Sequence, residues 1–296
     1  MDYYFRIQKA VDFIELNLTK NLNIREVAAK AFFSPFHFQR IFQAVSGFTV
    51  QGYVRRRRLS EAARLLKETD KGILEIAVSY GYGSQEAFTR AFEGCFGISP
   101  ARYRKQETTF PEFLGKIDFV DVGDKLVKGN LYIDKPCIVR LSKAYVLGYE
   151  YKTSLEEGAY FKEIPGFYDD FGQKEYYLKL QERIAPAFAY GVSCNYQEDG
   201  CFSFLVGESV QRLPEELEEG FAGIELPEGK YAEFRTEGSV EAAQDIWRYI
   251  YGIWLPNTNY QRRPGPDFEV TDICNSRYPD QMSIKIYIPL EEQYEA

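Results

Sequence analysis

The stretch that decides the fold is GILEIAVSYGYGSQEAFTRAFEGCFGISPARYR, residues 72–104. Its apolar residues keep a helical period: Phe88, Ala91, Phe92 and Cys95 stand at i, i+3, i+4 and i+7 and predict one buried stripe. Gly81 to Ser84 and Gly97 interrupt that period, so the segment reads as several short helices. About 50 residues upstream the chain repeats the pattern. Asn23 to Lys30 aligns with Gly72 to Ser79, pairing Ile24 with Ile73, Glu26 with Glu75, Val27 with Ile76 and Ala28 with Ala77. After one extra residue in the second turn, Arg40 meets Arg90, Phe42 meets Phe92, Gly47 meets Gly97 and Tyr53 meets Tyr103. Phe38, Ile41, Phe42 and Val45 form the matching stripe, and Ser34-Pro35 reads as an N-cap followed by proline in the first turn. Two helix–turn–helix units explain the repeat, with small Ala28 and Ala77 where paired helices cross closely. They predict about seven helices before residue 110.

The faces opposite the stripes carry the chemistry. The first presents Phe36, Gln39, Arg40 and Gln43. The second presents Gln85, Glu86, Thr89 and Arg90, with Ser84 just before it. Gln pairs with adenine through two hydrogen bonds, Arg does so with guanine, and Glu accepts from cytosine N4, so these types suit a major groove. A solvated helix face would show similar residues once; two copies with arginine in register favour nucleic acid. His37, at the start of its helix and with no second histidine in the chain, is expected to cap the helix or touch phosphate. The run Arg55-Arg56-Arg57-Arg58 falls on the connecting helix, Val50 to Lys67. One or two of its members are expected to face DNA, and the others to pair with Glu61, Glu68 or solvent.

Charge divides the chain the same way. The net charge is −8, yet residues 1–110 hold 17 Lys+Arg against 11 Asp+Glu, while the remainder holds 19 against 33. A basic module joined to an acidic one predicts that only the first meets a polyanion. At 296 residues two domains are expected, over 1–110 and 130–296, with a linker over 111–129. No apolar run approaches the roughly 20 residues of a membrane span, and five scattered cysteines without a CxxC pair suit a reducing cytoplasm. With one histidine, no metal site is expected, and nothing calls for a cofactor. Past residue 130, strands are predicted at 137–140, 145–151, 188–194, 201–206, 230–235 and 284–288, with helices near 167–181 and 239–253. Strand, helix, strand, strand occurs twice. The chain is therefore expected to be an α+β protein of two domains, an all-α double helix–turn–helix followed by a duplicated β-α-β-β domain.

Ala87-Phe88-Thr89-Arg90-Ala91-Phe92, Phe96-Gly97-Ile98-Ser99-Pro100 and Tyr103-Arg104, with Ser34 to Phe42 and Gly47 in the first copy, resemble the signature of AraC/XylS-type transcription regulators. The resemblance covers about residues 5–106. It implies that the two outer faces enter successive major-groove segments, spaced by roughly one 34 Å turn of DNA, and that RNA polymerase is a partner. Gly252-Ile253-Trp254-Leu255-Pro256, Gly265-Pro266-Asp267-Phe268-Glu269 and Leu226 to Ala232 are similar to a GyrI-like (gyrase-inhibitor-like) effector-binding domain. That resemblance implies a pocket joining an acid to aromatic walls, selective for flat and often cationic molecules. Glu269 matches the acid, and Trp254, Phe268, Tyr149 and Phe167 are the expected walls. The rival reading makes this domain a small-molecule hydrolase or a sequestering module, with Glu269 as general base aided by Tyr149. The sole histidine lies in the helical half, so no Ser-His or Cys-His set supports that rival.

Overall fold

The computed structural model describes residues 3–106, 114–119, 121, 135–197 and 199–291. The chain divides into two compact units, Met1–Asp124 and Lys125–Ala296.

The first unit contains α1 (Tyr3–Leu16), α2 (Ile24–Lys30), α3 (Pro35–Ser46), α4 (Val50–Glu68), α5 (Ile73–Ser79), α6 (Gln85–Phe96) and α7 (Pro100–Lys105). The predicted duplication is visible in side-chain geometry. Phe42 meets Tyr53 edge-on with centroids 5.5 Å apart at 64°, and Phe92 meets Tyr103 at the same distance and angle. The Ser34 and Ser84 hydroxyls accept from the amides of His37 and Ala87 and start α3 and α6. Gly47 and Gly97 end these helices in the left-handed conformation, at φ 75° and 71°, which glycine adopts without a Cβ penalty. Arginines close each copy. Arg58 on α4 donates to the carbonyls of Leu18 and Lys20 beyond α1, and Arg104 on α7 donates to those of Leu66 and Lys71 around the end of α4. The long α4 thus finishes the first motif and opens the second.

The arginine run follows the helix period. Arg57 is buried and pairs with Glu15 and Glu61, both at 2.8 Å, while Arg55 and Arg56 are exposed. Glu68 pairs with Arg64, a residue outside the run. The segment expected to be a linker has described residues that pack instead. The Leu114 carbonyl accepts from Arg57, the Phe119 amide donates to Gln8, and the Phe119 ring is fully buried 5.1 Å from Phe42. Leu114 to Phe119 therefore belong to the helical unit. The other residues of 111–129, Asp121 apart, lie outside the described ones.

Among the described residues the second unit forms one antiparallel sheet of eight strands: β1 (Cys137–Leu141), β2 (Ala144–Ser154), β3 (Phe188–Cys194), β4 (Cys201–Val210), β5 (Phe221–Leu226), β6 (Gly229–Gly238), β7 (Asp267–Asp272) and β8 (Met282–Pro289). Helices α8 (Ala159–Gln173) and α9 (Val240–Tyr249) connect β2 to β3 and β6 to β7. The sequence pattern predicts six of these strands and misses β5 and β7, which carry Gly223 or alternating acids. Strand order is β1-β6-β8-β7-β3-β4-β2-β5, a palindrome about the β7–β3 seam when the two repeats are equated. The outermost strands are exchanged: β1, just before the first repeat, pairs with β6 of the second, and β5 pairs with β2 of the first.

Helix α8 starts eight residues before the predicted Phe167, because Pro165-Gly166 does not break it. Proline at 165 deprives the Phe161 carbonyl of its usual amide donor. The Gln244 side chain of α9 supplies a replacement at 2.7 Å, and ties the two helices together. Tyr149, Phe167, Phe204 and Val206 belong to one core on the helix-covered face of the sheet, and Val192, Leu205, Phe268 and Tyr287 to another on the reverse face.

Candidate functional site

Glu269 lies on β7 opposite Gly191 of β3, in the central strand pair of the palindrome. Its side chain points to the helix-covered face and is only 7% exposed. A carboxylate taken out of water needs strong donors. Tyr168 of α8 donates its hydroxyl to Oε1 at 2.8 Å, and Trp247 of α9 donates its indole N–H to Oε2 at 3.0 Å. Equivalent helices of the two repeats thus converge on one acid from both sides of the seam. Burial of the Tyr168 hydroxyl, together with the neighbouring Glu269 charge, pushes that phenol well above its ordinary value, so it stays a donor at neutral pH.

The asymmetry at the seam is necessary. A Cβ at Gly191 would stand 2.1 Å from the Tyr168 hydroxyl and 2.5 Å from the Phe204 ring. The strand partner of the acid is a glycine, and the phenol occupies the space that a side chain there would need. Gly191→Ala is expected to cost about 1–3 kcal/mol by overpacking. Urea unfolding of the full chain measures it, with partial recovery expected in Gly191→Ala/Tyr168→Phe.

The expected walls divide between two places. Phe167 and Tyr149 share the helix face with Glu269: Phe167 stacks on Tyr151 at 4.6 Å, Tyr151 lies 5.0 Å from Tyr149, and Tyr168 meets Phe204 edge-on. Phe268 is adjacent to Glu269 in sequence and so points to the opposite face of the strand, stacked 4.8 Å from Tyr287. It is not a wall of the acid's site. Trp254 packs against Phe234 and Tyr260, and the indole on Glu269 is Trp247. Seven residues nearly restore the phase of an α-helix, but a π-helical turn over Ile250–Trp254 intervenes and rotates Trp254 away. The sequence reading missed Tyr168 and Trp247; the repeat itself was the available signal, since both lie on the helix that follows the first strand of each copy.

A buried ion pair supports the site from behind. Asp267 is 0% exposed and pairs with Arg262 at 2.7 Å. Tyr251 donates its hydroxyl to the same carboxylate and stacks its ring on Trp247 at 6.4 Å. The indole that grips Glu269 therefore stacks on a ring whose hydroxyl is tied to a buried ion pair.

In the helical unit, Gln85, Glu86 and Arg90 of α6 are exposed, with Thr89 and Ser84 half-buried and Ser84 engaged as the cap. The equivalent face of α3 differs: Gln39, Arg40 and Gln43 are 5%, 9% and 8% exposed, and only Phe36 is half-buried, its ring beneath the Arg40 guanidinium. The two copies match in their caps and in their buried ring pairs. His37 is displaced from its expected role. It is buried against Phe33 and Tyr3, at 4.8 and 6.1 Å, because its place in the first turn of α3 faces α1. Among the described residues no group of three or more His, Cys, Asp or Glu can hold a metal, and no helix is long and apolar enough to cross a membrane.

Comparison with known proteins assigns both halves. Residues 137–290 match the family described as integron-associated effector binding protein, and residues 27–106 match a helix-turn-helix domain family. The chain is 31% identical over 281 residues to transcriptional regulator Rob of Salmonella typhimurium, covering 91% of each chain. It is 30% identical over 277 residues to right origin-binding protein of Escherichia coli, again covering 91% of each. An integron cassette protein structure from Vibrio cholerae aligns with 55% of the chain and 99% of its own, at 21% identity and a TM-score of 0.35. The chain belongs to the AraC/XylS family of DNA-binding transcription regulators, joining an AraC-type helix–turn–helix unit to a GyrI-like effector-binding domain.

Proposed function

We propose that the effector of this regulator is a small, flat cation held at Glu269 between Tyr168 and Trp247, and that its binding alters DNA occupancy. The carrying observation is the Glu269 carboxylate, nearly excluded from water and reached by one aromatic donor from each repeat. Negative charge in a low-dielectric setting attracts cations strongly. Ring faces beside it add about 0.5–2 kcal/mol of cation–π attraction. Neutral molecules of the same shape gain only the stacking. Calorimetric titration of the full chain with methylene blue, a flat cation, and with an uncharged three-ring aromatic tests this. Saturable binding of the cation at one equivalent, at least tenfold tighter than the neutral compound, is expected; equal affinity for both overturns the reading. The site binds without turnover in this proposal, so the dye is recovered unchanged after incubation.

On DNA, Gln85, Glu86, Thr89 and Arg90 of α6 read one major-groove segment, and Phe36, Gln39, Arg40 and Gln43 of α3 the neighbouring one. The open face of α6 supports its half of this assignment. Arg90→Ala is expected to weaken specific binding by about 1–3 kcal/mol and relax base preference at one position. Binding to a randomised duplex pool, sequenced before and after selection, measures both effects. The regulator acts in the cytoplasm and contacts RNA polymerase when bound. Linkage demands that the effector change DNA affinity by the factor by which DNA changes effector affinity.

A further inference from the structure

We infer that the reverse face of the sheet carries a second small-molecule site, one that takes a flat, uncharged aromatic molecule. A cavity of about 510 Å³ opens there, within the range of roughly 300–1,000 Å³ typical of small-ligand sites. Its lining includes a layer of rings: Tyr190 stacks on Phe268 at 6.3 Å and 22°, Phe268 stacks on Tyr287 at 4.8 Å and 18°, and Tyr231 meets Phe268 edge-on. Such rings reward another flat ring by about 0.5–1.5 kcal/mol for each favourable pair.

Two of the three phenol hydroxyls are already engaged. Tyr231 donates to the Pro227 carbonyl at 2.7 Å and Tyr287 donates to Glu233 at 2.8 Å. Burial raises all three phenols above their ordinary value, so none brings charge to the cavity at neutral pH. The two charged residues of the lining, Asp272 and Lys285, are of opposite sign, and the Asp272 carboxyl is held below its ordinary value chiefly by the Asn275 side chain, with a smaller contribution from Lys285. Apolar ring faces with balanced charge favour a neutral guest over either ion. The cavity differs in chemistry from the site at Glu269 and is separated from it by the thickness of one strand, since Phe268 and Glu269 point in opposite directions. It does not depend on the reading of Glu269.

The test uses the full chain and N-phenyl-1-naphthylamine, an uncharged aromatic that fluoresces in apolar surroundings. Val270 and Ala144 both line the cavity, and tryptophan at either position fills it. Saturable fluorescence at one equivalent is expected, at least tenfold weaker in Val270→Trp and in Ala144→Trp, with calorimetric binding of methylene blue kept in both. Excess methylene blue is expected to leave the probe in place. The proposal is overturned if enhancement never saturates, if both variants bind the probe like the original chain, or if methylene blue displaces it as for one shared site. Near-ultraviolet circular dichroism identifies a variant that has lost its packing; the other variant then decides, and if both fail the displacement result decides. Failure of methylene blue to bind the unaltered chain counts against Glu269 alone.

Discussion

Glu269→Gln is expected to raise the dissociation constant for methylene blue about 100-fold, a loss of about 2.7 kcal/mol, while the chain unfolds at the same temperature or higher. Glutamine has nearly the shape of glutamate, and its amide oxygen still accepts from Tyr168 or Trp247, so the packing persists. What disappears is the charge. A buried carboxylate is costly to the free protein and valuable to a cationic ligand, so its removal separates binding from stability. Paired calorimetry and thermal melts read the two quantities. Equal affinity in Glu269→Gln and the original chain would show that the dye binds elsewhere. Trp247→Ala is the complementary change. It removes a ring face and a donor together and is expected to weaken the cation by about 0.5–2 kcal/mol.

The largest effect on stability is expected at the pair behind the site. Asp267→Ala leaves Arg262, 5% exposed in its side chain, without its carboxylate. Burial opposes the charge of Arg262, yet Asp267 beside it holds the guanidinium above its ordinary value. Breaking such a pair costs about 3–5 kcal/mol because one charge stays buried and uncompensated. For a unit of this size that lowers the melting temperature by roughly 6–20 °C. Replacing both members with apolar residues, Arg262→Met with Asp267→Leu, is expected to be far milder. Adding Tyr251→Phe removes the hydroxyl that the double change would orphan. If the double variant is as unstable as Asp267→Ala, the cost lies in packing and the electrostatic account fails. The single variant should also weaken dye binding, since Tyr251 braces Trp247.

The helical unit was legible because its repeat is written twice in one period, and Phe42–Tyr53 and Phe92–Tyr103 show how literally it is copied. Burial of His37 against Phe33 and Tyr3 was not legible, since helical phase tells which residues face away from one stripe and nothing about what else they meet. In the sheet unit the acid could be found by resemblance, but its partners could not. Strand alternation separates Phe268 from Glu269, and the π-helical turn shifts Trp254 out of the phase that Trp247 keeps. Tyr168 sits one helical step beyond Phe167, and a step of about 100° decides which of two adjacent rings reaches the acid. Strands β5 and β7 escaped because Gly223 interrupts the apolar run of the first and acids stand between the apolar residues of the second.

The exchanged outer strands have a consequence for biosynthesis. Cys137 of β1 leaves the ribosome long before Glu233, its partner in β6, exists. The first repeat can close β2, β3 and β4 as it emerges, but β1 must wait with unpaired amides and carbonyls until the second repeat arrives. A stalled or truncated chain that ends between the repeats therefore displays a strand with nothing to bind, an open template for another unfinished copy. Completion of the nascent chain, rather than local stability, sets when this half of the regulator becomes safe from aggregation.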